Sequence, residues 1–243
     1  QCSTCHSLTF PTNHTWPSDA GVNMVTGERL PSWPDAFSVE FLLEVTTEAG
    51  QPGLANISNA PGNTFHYSYN RLNPELSRAV NRHDTCPFFH TMSCNIHHHS
   101  DAIYFDLKPG TDESFCCKFR DVAVIPPFWT TWGVYVATYQ KGDDVPGEPQ
   151  PNWEGFVADR YTFGNAAQLD QHDLHVRAED PRSMVRFAAT LPPPNAHSHG
   201  YWHVLEDMKV EEQDPSLFVL PAGCLDSCGA AGSAPAPLSS AHT

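Results

Sequence analysis

A pair of adjacent cysteines constrains this chain most. In a strand, Cys116 and Cys117 point to opposite faces, so two different partners suit them better than each other. Six further cysteines make the number even: Cys2, Cys5, Cys86, Cys94, Cys224 and Cys228. Cys86 and Cys94 are close enough for a local bridge, while the remaining connectivity stays open. Asn13-His14-Thr15 and Asn56-Ile57-Ser58 are N-glycosylation acceptors. Together these features read as a disulfide framework made in an oxidising compartment, and so as a secreted or cell-surface protein. The competing reading is a four-thiolate zinc ribbon built from Cys2, Cys5, Cys224 and Cys228. The acceptors and the loop-rich composition argue against it.

Twenty-two prolines and 15 glycines leave little room for long helices. A chain of 243 residues, 40% hydrophobic, suffices for one large β domain. Its 28 acidic and 13 basic residues give a net charge of −15, which repels nucleic acid and anionic lipid headgroups and suits cations or basic partners. No apolar run is long enough for a transmembrane helix. The start at Gln1-Cys2 suits a mature form whose leader has been removed.

Residues 37–45 alternate cleanly, with Phe37, Val39, Phe41, Leu43 and Val45 on one face. After a turn-rich stretch at 55–63, residues 64–70 repeat the pattern with Phe65, Tyr67 and Tyr69, and the two segments suit an antiparallel pair. Further strands are expected at 102–107, 119–125, 131–139, 156–163, 184–190, 201–205 and 217–220. Pro-Gly and Gly-Asp turns separate them. One helix is expected at 74–82, with Asn73 as its cap. The expected fold is all-β and a single domain: an antiparallel bent sheet forming a half-open barrel or sandwich, stapled by disulfides. An irregular Pro-rich lead at 1–36 precedes a β domain at 37–228. The Ala/Pro/Ser-rich tail 229–243 suits a linker, a glycosylated stalk, or a segment packed on a partner or another copy of the chain.

Chemistry is harder to place. His97-His98-His99 reads as part of a polar loop, while His197, His199 and His203 lie at alternate positions and make the better metal set; His172 and His175 make a weaker one. Solvated histidines are the plainer account of all of these. No nucleophile elbow, zincin helix, phosphate loop or EF-hand occurs, so a His-metal enzyme remains only an alternative. Asp143 and Asp144 are candidate calcium ligands, calcium being the one cofactor expected. Trp129, Trp132, Tyr135, Trp153, Phe156 and Tyr161 crowd the middle of the chain, as core or as the lining of an apolar pocket.

The order of the motifs resembles the ependymin-related proteins, especially their divergent algal and protist members. These motifs are Tyr67-Ser-Tyr69-Asn-Arg71, the Cys86/Cys94 pair, Phe115-Cys116-Cys117, Pro126-Pro-Phe-Trp129 with Trp132-Gly133-Val-Tyr135, Asn152-Trp153 leading to Arg160-Tyr161, and Phe218-Val-Leu-Pro221 running into Cys224 and Cys228. The resemblance covers about residues 35–228. It implies a secreted, non-enzymatic glycoprotein with a half-open antiparallel β-fold, similar to bacterial lipoprotein carriers and implicated in binding apolar ligands and calcium. It carries over no individual ligand-binding residue. The expected partners are a lipid-like ligand, an extracellular surface or matrix, or another copy of the chain in a filament, wall or coat.

Overall fold

The computed structural model describes residues 21–51, 53–88, 92–121, 124–140, 157–165, 170–190 and 197–228. Eleven strands form one antiparallel sheet: β1 (Ala36–Thr47), β2 (Ile57–Ser68), β3 (Arg78–His83), β4 (Cys94–His98), β5 (Ile103–Leu107), β6 (Phe115–Arg120), β7 (Val134–Tyr139), β8 (Ala158–Asn165), β9 (Asp170–Arg177), β10 (Met184–Thr190) and β11 (Ser198–Val204). Their order is β6-β5-β4-β3-β2-β1-β11-β10-β9-β8-β7. Each half is thus a simple meander, and the two meanders join where β1 pairs with β11.

The alternation in β1 sets the inner face. Phe37, Val39, Phe41, Leu43 and Val45 are all buried, while Glu40 on the other side is exposed. Burying each such side chain contributes about 1.5–3 kcal/mol. The largest cluster joins Phe37, Val39 and Tyr67 to Tyr161, Phe163, Leu174 and Val176 from the other meander, so the sheet curls around its own apolar face. Segments at 30–33 and 124–132 lie over it, with Trp33 and Trp129 packed edge to face at 5.0 Å.

Several expectations require correction. The 55–63 stretch is strand, because Pro61 and Gly62 form an irregularity inside β2 and not a turn: Gly62 takes φ +77°, and the β1–β2 register shifts nearby. The expected helix shortens to one 3-10 turn at Pro74–Leu76, where the Asn73 side chain makes no cap bond, and β3 follows directly. The histidine triplet is not a loop: His97 and His98 lie in β4, an interior strand of the sheet. The expected strand at 119–125 is displaced to 115–120, and the one at 131–139 begins as a 3-10 turn, Pro127–Trp132. The 217–220 strand is a 3-10 turn, Pro215–Phe218, started by Asp214, whose side chain accepts from the Ser216 amide.

Disulfides join Cys86 to Cys94, Cys116 to Cys224 and Cys117 to Cys228. The local bridge and the divergent pair are therefore as expected, and Cys224 and Cys228 are spent in disulfides, which rules out their use as zinc thiolates. Leu225 exchanges backbone bonds with Cys116 and Lys118, so residues 224–228 line the outer edge of β6 and cover it.

Candidate functional site

The bend in β2 builds an unusual corner on the inner face. Pro61 brings no amide hydrogen, and the Asn63 side-chain amide donates to the carbonyls of Ala60 at 2.6 Å, Pro61 at 3.3 Å and Phe41 at 3.4 Å. Its nitrogen is consumed by the irregularity it stabilises. Asn63 Oδ1 has no partner among the described residues, although Asn63 is only 2% exposed.

Continuing the β2–β3 register by one position sets Asn63 beside His83. Phe41 touches both: it pairs with Asn63 across the ladder, and its ring lies 5.7 Å from the His83 imidazole. His83 is 3% exposed, and its Nδ1 also lacks a partner among the described residues. Burial pulls its pKa down to about 3, so the ring is neutral at pH 7.

Next to this corner the inner face is only partly covered. Phe41, Leu43 and Val45 are buried, but Phe65, Phe88 and Trp202, which pack against them, are half-buried. Phe187 lies 5.4 Å from Trp202 and 5.9 Å from Trp129, and His172 stacks on Phe187 at 5.9 Å. Phe65 and Phe187 also border the main core, so the half-buried aromatics form a strip where the two clusters meet. Gly200 gives Trp202 its place, since a Cβ there would stand 2.7 Å from the indole.

The expected pocket residues lie elsewhere. Trp129 and Tyr161 are 4% and 2% exposed within the core, with Trp132 and Tyr135 packed at its margin. Trp153, Phe156, Asp143, Asp144, Cys2, Cys5, Asn13 and the tail 229–243 lie outside the described residues. Asn56 is exposed, and its side-chain oxygen accepts from the Thr47 amide.

The histidines divide into two groups. His197 Nδ1 and His199 Nε2 share the carboxylate of Glu48 at 3.1 and 3.4 Å, and these hydrogen bonds hold the Glu48 pKa below the usual range. His203 contacts a different carboxylate, Glu44, at 3.2 Å. The expected trio is thus split, and no three metal-ligating side chains among the described residues converge as an ion site. The second group faces the outer side of the sheet, where Arg160, His175, Arg186 and His203 stand in register across β8 to β11. His175 and Arg186 are fully buried there, with Arg186 4.7 Å from the Tyr201 ring. Composition alone gave no sign of this row.

Among the described residues, no helix is long and apolar enough to cross a membrane. Comparison with known protein families finds no match. No curated protein matches the chain either.

Proposed function

We propose that this protein is a non-enzymatic extracellular binding protein that holds an apolar ligand on the inner face of its curled sheet. The observation that carries this reading is the strip of Phe65, Phe187 and Trp202, half-buried aromatic side chains on the inner face where the two clusters meet. An aromatic strip with a few polar groups beside it is the ordinary make-up of a small-molecule site. Three disulfides support the extracellular placement. Two joined meanders are also the kind of half-open sheet that the ependymin resemblance implies. Native mass spectrometry after gentle purification tests the proposal: a retained lipid-like mass supports it. A bare protein that takes up no added lipid contradicts it. Calcium dependence is a separate proposal resting on Asp143 and Asp144, and a melting curve unmoved by calcium would remove it.

A further inference from the structure

Two buried polar atoms without partners among the described residues, on side chains at facing positions of β2 and β3 that both adjoin Phe41, are costly to leave as they stand. Each has lost its hydrogen bonds to water without gaining one in the fold. Asn63 Oδ1 and His83 Nδ1 are such a pair, set next to Phe41 at the border of the aromatic strip. Asn63 cannot turn to relieve the cost, because its amide nitrogen is engaged by the carbonyls of Ala60, Pro61 and Phe41.

The two atoms together suit a group that both donates and accepts a hydrogen bond. Asn63 Oδ1 only accepts, and His83 Nδ1 donates in the tautomer that carries its proton there. A hydroxyl gives one hydrogen and takes one, so a single hydroxyl satisfies both. A carboxylate has no hydrogen for Asn63 Oδ1, and it meets a histidine that burial keeps neutral. An ester or ketone can accept from His83 but again offers Asn63 nothing.

We infer that the ligand is a neutral amphiphile ending in a hydroxyl, a long-chain alcohol or monoacylglycerol in type, whose hydroxyl is held between Asn63 and His83 while its chain lies along Phe65, Trp202 and Phe187. The inference rests on the binding function proposed above and specifies its ligand chemistry. A site built to pair a hydroxyl rejects the analogue that lacks it far more strongly than an apolar surface rejects a change of size.

The test is displacement of Nile red by hexadecanol, hexadecanoic acid and methyl hexadecanoate, each delivered from cyclodextrin at pH 7, on the wild type and on His83→Phe. The expected result is Nile red binding to both proteins, with hexadecanol at least tenfold tighter than the acid and the ester on the wild type. On His83→Phe the alcohol falls to the level of the ester, while the melting temperature stays level or rises because an unpaired buried group has gone. Equal binding of alcohol and ester to the wild type, as expected if the corner holds only a water molecule, overturns the inference while leaving apolar binding intact. Tighter binding of the acid, or a preference that survives His83→Phe, overturns it as well. Absence of Nile red binding to the wild type overturns the binding function itself, and the ligand class with it.

Discussion

Cys116 and Cys117 leave β6 on opposite faces and return to the same short segment, one through Cys224 and the other through Cys228. The two bridges span 108 and 111 residues, yet they are not two independent long loops. Once one has formed, the other closes a ring of only a few residues. In the chain-entropy picture the first closure contributes about 4.7 kcal/mol and the second about 2. Removing either bridge by paired Cys→Ala changes is therefore expected to cost about 2 kcal/mol, and removing both about 7. Urea unfolding of the three variants checks this, and single losses that add up to the loss of the double variant would contradict it.

Arg160 and Asp173 pair across β8 and β9 at 3.0 Å, with side chains only 11% and 10% exposed. Asp173→Ala leaves a buried guanidinium without its partner carboxylate, at an expected cost of about 3–5 kcal/mol. The exposed Arg71–Asp35 pair is the control, and Asp35→Ala should cost no more than about 1 kcal/mol. Chemical denaturation of both variants distinguishes the two environments.

Acid should unfold this protein early. Burial lowers the pKa of His83 to about 3, and that of His97 to about 4 with smaller contributions from His99 and Arg82; burial and Arg186 lower that of His203 to about 4. Each takes up its proton more readily when unfolded. The stability they contribute is thus complete above the unfolded pKa near 6.5 and is lost as the pH falls toward 4. A stability-pH profile from 8 to 4 should fall steeply below about 6.5. His97, with neither ring nitrogen partnered among the described residues, gives the sharper test: His97→Leu should be more stable at pH 7 and show a shallower acid limb. A profile identical to wild type would contradict this.

Gly200 makes room for the indole of Trp202. Gly200→Ala is expected to cost about 1–3 kcal/mol and to push Trp202 toward solvent, since no backbone movement is as easy as displacing that ring. Red-shifted tryptophan emission and weaker Nile red binding would follow together. An unshifted spectrum would place the indole elsewhere.

Legibility in the sequence followed polarity. β1 could be read because its alternation is uninterrupted, and β10, a short and mostly apolar run, lies at 184–190 as expected. β3, β4 and β9 could not, because histidine, arginine and asparagine occupy positions on both of their faces and mask the period of two. Only the neighbouring strands reveal that His83 and His97 are buried. The divergence of Cys116 and Cys117 was legible because it follows from strand geometry alone. The aromatic strip was not: the density of aromatics in the middle of the chain marks the packed core around Trp129 and Tyr161, whereas Phe65, Phe187 and Trp202 are distinguished only by incomplete cover. No sequence pattern encodes which side chains a curled sheet leaves uncovered.

The central claim is that the half-buried strip takes up an apolar ligand. Fluorescence titration with Nile red, on the wild type and on a folded Trp202→Ser/Phe187→Ser double variant, tests it most directly. The account predicts saturable one-to-one binding to the wild type in the micromolar range, weakened at least tenfold in the variant. Binding that does not saturate, or that is unchanged when both aromatics are gone, would contradict it.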